Sequence, residues 1–189
     1  MAIFIKAGLR HFAESHFSLK WGFGILPKVI FLQSWISAFC RMVFFCEGGI
    51  MKAVVTEEAE FSVEFYDVDS MRVVWHGNYV KYMEIGRCAL LDKIGFGYAQ
   101  MEKSGYAFPV VDLKIKYRHP LFFGDKARIV AGLTEYENCI KITYEIFNAK
   151  SGVLCAKGES TQMAVKIEGN ETKYICPSEF IERVEKLSE

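Results

Sequence analysis

One helix-period segment followed by several long strand-period segments, with almost nothing between them, limits most strongly how this chain can fold. From position 78 to about 93, Tyr79, Val80, Met83, Gly86, Leu90 and Leu91 form an apolar stripe that Ile94 extends, while Lys81, Glu84, Cys88 and Asp92 lie on the other side. Asn78 can cap the start of this helix and Gly95-Phe96-Gly97 can stop it. Gly86, inside the stripe, weakens the helix but lets its backbone approach a sheet closely. Further on, Val111, Leu113, Ile115 and Tyr117 alternate with Asp112, Lys114, Lys116 and Arg118 until Pro120 closes the strand. Residues 125–136, 139–149 and 153–166 read as three more strands, separated by Glu137-Asn138 and Ser151-Gly152. Connections this short predict antiparallel hairpins, and the whole run from position 108 reads as a meander. Ahead of the helix, Phe61, Val63 and Phe65 alternate with Glu60, Ser62 and Glu64, a strand with one buried face. A short helix or turn near 98–103, a short strand near 172–174 and a helix from Pro177-Ser178 to about Leu187 complete the pattern. The prediction is an α+β fold in which one antiparallel sheet wraps over one long helix.

Length and charge narrow the rest. A chain of 189 residues suits one ordinary domain plus an extension. The net charge of zero leaves no electrostatic footprint for nucleic acid. Residues 1–50 nevertheless carry a net of +3 and end in an apolar run, 29–46, broken by Gln33, Ser34 and Arg41. A spanning helix needs roughly 20 apolar residues, and a charge such as Arg41 near its middle costs a few kcal/mol. The expected division is therefore an N-terminal apolar and basic extension over 1–50, either an over-called start or a membrane-associated segment, and a folded domain over 51–189. Six scattered cysteines, with no C-x-x-C and no histidine at metal spacing, read as reduced thiols in a cytoplasmic protein with no metal site. The G-x-x-x-x-G-K-[ST] phosphate loop does not occur.

The chemistry concentrates in residues 65–87, FYDVDSMRVVWHGNYVKYMEIGR. Two carboxylates, Asp67 and Asp69, follow the first strand, and His76-Gly77-Asn78 stands at the mouth of the helix. Acyl transfer from a thioester needs a carboxylate to attack or to activate water, and backbone N–H groups to hold the carbonyl oxygen. A helix N-terminus offers such N–H groups together with a partial positive charge. Glu84 is a competing carboxylate, but Lys81 and Arg87 at helical spacing make it a salt-bridged surface group. The row Lys114, Lys116 and Arg118 reads as the solvated face of a strand, or as a contact for phosphates.

This stretch resembles the signature of hotdog-fold acyl-CoA thioesterases of the 4-hydroxybenzoyl-CoA thioesterase type. Their pattern runs D-x-D-x-x-G-h-V-[WY]-[HY]-x-N-Y, where h is apolar, and Asp67, Asp69, Val73, Val74, Trp75, His76, Asn78 and Tyr79 stand in register with it. Arg72 departs from it, standing where most members carry glycine. The resemblance covers about residues 57–167. It implies a hotdog fold, with Asp69 as catalytic nucleophile or general base and Asp67 as a structural residue. His76, Gly77 and Asn78 become the oxyanion and positioning segment, the backbone at His76 mattering more than its ring. Arg72 is left to balance the loop's negative charge or to touch the pantetheine or phosphate end of the substrate. The substrate implied is an acyl-CoA or acyl-carrier-protein thioester, with no metal or bound cofactor. The exposed sheet edge of a single hotdog subunit implies a homodimer or homotetramer. Two alternatives stay open: a hotdog dehydratase, disfavoured because His76 is the only histidine expected at the site, and a catalytically silent acyl-CoA sensor.

Overall fold

A computed structural model describes residues 53–188, which lie within the compact unit Glu47–Glu189. The expectations for residues 1–50 concern positions outside the described residues. In chain order the elements are β1 (Val55–Ser62), a 3-10 turn (Phe65–Asp67), α1 (Asn78–Ile94), α2 (Tyr98–Ser104), β2 (Tyr106–Ala107) and β3 (Val110–Tyr117). They continue with β4 (Lys126–Glu135), β5 (Ile140–Asn148), β6 (Leu154–Gln162), β7 (Ala164–Lys166), β8 (Glu171–Lys173) and α3 (Ser178–Ser188).

Five strands make one antiparallel sheet in the order β1-β4-β5-β6-β3, and β2-β7-β8 make a small second sheet. The expected meander holds for β4, β5 and β6. It fails at β3, which pairs with β6 on the far edge instead of with its neighbour in sequence, β4. The sheet packs on α1 mainly through β1 and β4, with β5 reaching it as well. Tyr82, Met83, Leu90 and Leu91 of α1 are buried together with Ile129, Ala131, Ile142, Tyr144 and Ala156. Each of the Leu, Ile and Met side chains among them contributes about 1.5–3 kcal/mol through burial. Gly86 has the role its sequence position suggests: a Cβ there would stand 3.0 Å from Ile129 Cδ1, so the helix lies close on β4. Gly95 ends α1 in the left-handed region at φ 72°, with its N–H on the Asp92 carbonyl and the Phe96 N–H on the Leu91 carbonyl, a glycine C-cap. Phe180 of α3 closes the end of this core against Phe96, ring centres 5.2 Å apart.

Four local readings need correction. The first strand stops at Ser62, and Phe65 is 71% exposed instead of buried, because the chain turns there: the Glu64 N–H donates to Asp67 Oδ2 (3.1 Å) and the Asp67 N–H to the Glu64 carbonyl (3.0 Å). On α1, Val80 lies outside the stripe and is exposed, whereas Tyr82 and Arg87 are buried. The long strand over 153–166 is two strands in two sheets, broken at Met163, whose N–H donates to the Pro109 carbonyl. The alternation of β3 buries almost nothing: Val110, Val111, Leu113 and Tyr117 are exposed, since no strand among the described residues covers this edge. Among the described residues, no helix is long and apolar enough to cross a membrane.

Candidate active site

The loop between β1 and α1 is built on Asp67. Its carboxylate is buried, accepting from the Glu64 N–H through Oδ2 and from Lys81 Nζ through Oδ1 at 3.2 Å. Burial acts to raise this carboxyl, but the Glu64 N–H and the Lys81 ammonium prevail and hold it below the usual carboxylate range. Its carbonyl oxygen accepts from Asn78 Nδ2 (2.8 Å) and from the Trp75 N–H (2.9 Å), which ties the start of the loop to the start of the helix. Asp67 is thus the loop's anchor. Lys81, assigned from helical spacing to Glu84, belongs to Asp67 instead, and also stands over the Tyr66 ring.

Asp69 sits in a tight turn. Its N–H donates to the Val73 carbonyl (2.8 Å), its carbonyl accepts from Arg72 N–H (2.9 Å), and Oδ1 accepts from Met71 N–H (2.8 Å). The other carboxylate oxygen has no protein partner among the described residues. The turn requires a left-handed residue, and Arg72 provides it at φ 64°. That is why glycine is the usual occupant in the signature: only glycine takes this conformation without cost, and another residue costs about 1–2 kcal/mol. The departure at Arg72 therefore leaves the loop geometry intact. Arg72 makes no ion pair among the described residues.

The helix mouth differs from expectation in one respect. Gly77 is the N-cap and Asn78 the first helical residue, so the Asn78 side chain caps nothing and ties to the Asp67 carbonyl instead. The Asn78 N–H donates to the Trp75 carbonyl at 2.9 Å. The N–H groups of His76, Gly77 and Tyr79 have no protein acceptor among the described residues. Gly77 is needed here because a Cβ would fall 2.0 Å from the Trp75 ring.

Asp69 and His76 line one open cleft of about 310 Å³, together with Val73, Val74, Tyr79, Tyr117, Arg118, His119 and Pro120. Arg72, Gly77 and Asn78 do not line it; they shape the turns that do. The strand end 117–120 contributes residues that sequence reasoning missed or misread. Tyr79, part of the apolar stripe, packs against the Tyr82 and Tyr117 rings and also lines the cleft, and burial pushes its phenol up to about 12. Arg118 leaves the basic row for the cleft, whereas Lys114 and Lys116 do not. His119 makes His76 no longer the only histidine at the site. Nothing within the local motif signals His119; only the antiparallel path of β3, ending beside Val74 and Leu121, brings it there. A carboxylate with an open oxygen, lining the same cleft as an unpaired amide, can attack a carbonyl carbon or deprotonate the water that attacks it, while the amide takes up charge on the carbonyl oxygen.

Glu84 is occupied elsewhere. The buried Arg87 donates to both its oxygens, and Tyr98 completes the cluster through its hydroxyl. Arg87 holds the Glu84 carboxyl below its ordinary range, against the opposing effect of burial. Among the described residues there is no cluster of three His, Cys, Asp or Glu side chains that could hold a metal ion.

The chain is similar to known proteins. A Bacillus subtilis (strain 168) protein named "Putative acyl-CoA thioesterase YneP" is 37% identical over 110 residues, covering 58% of this chain and 79% of that one. The crystal structure of a DHNA-CoA thioesterase from Staphylococcus aureus is 31% identical at a TM-score of 0.59, covering 63% of this chain and 80% of that one. A 1,4-dihydroxy-2-naphthoyl-CoA thioesterase from Synechocystis, at 20% identity and TM-score 0.64, covers 71% of this chain and 99% of that one and shares the hotdog fold. The family described as the thioesterase-like superfamily matches residues 63–184, from the end of β1 through most of α3, and to that family this chain belongs.

Proposed function

We propose that this chain is an acyl-CoA thioesterase, hydrolysing a thioester to a carboxylic acid and a free thiol, with Asp69 as its catalytic carboxylate. The observation that carries the reading is the shared cleft: Asp69, with one uncommitted oxygen, and His76, whose amide is unpaired, line the same opening. The relatives named above support the substrate class. In this reading the thioester carbonyl oxygen points at the His76 amide at the mouth of α1, and Asp69 either attacks the carbonyl carbon or takes a proton from the attacking water. Both routes balance: the C–S bond breaks, the thiolate leaves with a proton, and water supplies the hydroxyl of the acid. The carrier is coenzyme A, with an acyl carrier protein as the alternative.

The working unit in this reading is a homodimer, alone or paired into a tetramer. Support comes from β3, an eight-residue edge strand whose outer row of N–H and C=O groups meets no other strand among the described residues, with exposed Val110, Val111 and Leu113. Such an edge is a template for another strand. Pairing two copies of β3 gives a continuous sheet and buries on the order of 2,000 Å² in total. The four described cysteines are free thiols, which suits a cytoplasmic setting.

The test is a panel of aromatic and aliphatic acyl-CoA thioesters assayed for free-thiol release, with a 3-hydroxyacyl thioester included because His119 stands beside Asp69 in the cleft. Thiol release from at least one thioester is expected. Dehydration of the hydroxyacyl compound without thiol release, or binding with neither reaction, overturns the reading. Light scattering at micromolar concentration should report a dimer or a tetramer; a fully active species of monomer mass contradicts the assembly.

A further inference from the structure

Tyr117 ends the exposed edge strand β3, yet its side chain reaches the mouth of α1. Its hydroxyl donates to the His76 carbonyl oxygen at 3.0 Å, across 41 residues of sequence. Its ring meets the buried Tyr79 ring edge-on, centroids 5.1 Å apart at 81°. The hydroxyl is therefore aimed by a packed aromatic pair, although the residue itself is about half exposed. The turn that it holds is tied on either side, through the Trp75 N–H and Asn78 Nδ2 to the Asp67 carbonyl, but among the described residues the His76 carbonyl has no other donor. Helix α1 begins only at Asn78, and the His76–Gly77 peptide is bounded by the Asn78 N–H on the Trp75 carbonyl and the weaker Val80 N–H on the Gly77 carbonyl at 3.2 Å.

We infer that Tyr117 is a positioning residue for thioester hydrolysis, holding His76, whose amide receives the developing oxyanion, and polarising the Gly77 amide that follows it. This rests on the hydrolase reading above. A peptide unit is planar and trans, so its C=O and N–H point in opposite directions. Fixing the His76 oxygen fixes the plane that carries the Gly77 N–H, and limits the rotation that would turn the His76 N–H away. A hydrogen bond accepted by the carbonyl also draws electron density from its amide nitrogen and strengthens the N–H as a donor. Preorganised donors matter most where charge develops, because they need no reorganisation at the moment of reaction. The residue lies on the strand assigned above to subunit pairing, so an assembly that straightens or shifts β3 also sets the aim of the oxyanion donors.

Tyr117→Phe removes the hydroxyl and keeps the ring against Tyr79. With an acyl-CoA that the wild type hydrolyses, kcat should fall about tenfold while KM stays within threefold, and the melting temperature should remain close to wild type. A second readout separates positioning from a structural role: the infrared carbonyl stretch of that acyl-CoA bound to Asp69→Asn protein. It should lie below the frequency of the free thioester, and should return part of the way in the Asp69→Asn/Tyr117→Phe double variant. A kcat within twofold of wild type, or a stretch that the second substitution does not move, overturns the inference while the hydrolase reading stands. A wild type that releases thiol from no acyl-CoA overturns both.

Discussion

Two carboxylate-bearing regions lie close in sequence and differ in how their oxygens are used. In the turn that follows β1, Asp69 gives one oxygen to the Met71 N–H and keeps the other open at the cleft. On α1, Glu84 gives both oxygens to Arg87 and Tyr98. A carboxylate wrapped around a buried guanidinium is stabilised as an anion and has no geometry left for attack or proton transfer. The difference arises from division of labour within the loop. Asp67 takes the structural duties, binding the Glu64 N–H and Lys81 and offering its carbonyl to Asn78, so that Asp69 need not. A carboxylate suited to chemistry is recognised by what it leaves unbonded.

The contrast can be broken by exchanging each acid for its amide. Asp69→Asn should lower kcat at least a hundredfold, about 3 kcal/mol in the barrier, with a melting temperature near that of the wild type. Glu84→Gln should do the reverse. It leaves the buried Arg87 with a weaker partner and costs about 1–2 kcal/mol in stability, read from denaturant unfolding, while kcat stays within threefold. A Glu84→Gln variant that is stable but inactive would exchange the roles of the two regions.

Asp67→Asn sharpens the comparison inside the loop through pH. The folded-state carboxyl is held below its ordinary value, so its contribution to stability is fully present above the unfolded pKa, about 4, and is lost as pH falls through the folded value. The variant should be about 1–2 kcal/mol less stable than wild type at pH 7, and the gap should close on acidification below pH 4. A gap that is constant from pH 7 to pH 3 would remove the Lys81 pair as its cause. Arg72→Gly is the smallest change. Relieving the left-handed arginine should stabilise by about 0.5–1 kcal/mol, with kcat within twofold. A loss of binding for acyl-CoA would instead give the guanidinium a contact with substrate.

Much of this was legible in the residues, and the failures have physical causes. The long helix, its glycine C-cap and the β4-β5-β6 hairpins follow from periodicity and short connections, both local properties. The motif around Asp69 and His76 is also local, and the structure draws these two residues into one cleft. The order of β3 in the sheet was not readable, because an alternating strand carries no label for its neighbour. Tyr117 and His119 have no signal at the site, and Arg118 reads only as part of a basic row, for the same reason: they arrive through strand pairing, Tyr117 lying 41 residues from His76. Phe65 was misjudged because a buried aspartate two residues later, not its own hydrophobicity, decides where the chain turns.

A crystal structure of the Asp69→Asn protein with an intact acyl-CoA bound decides which of the two carboxylates faces the reacting carbon. The thioester carbonyl oxygen is expected at about 3 Å from the His76 or Gly77 amide nitrogen, a hydrogen-bond distance, with the carbonyl carbon facing the side chain at position 69. A thioester seated instead against the Glu84–Arg87–Tyr98 cluster, with the His76–Gly77 amides bonded to solvent, would contradict that placement.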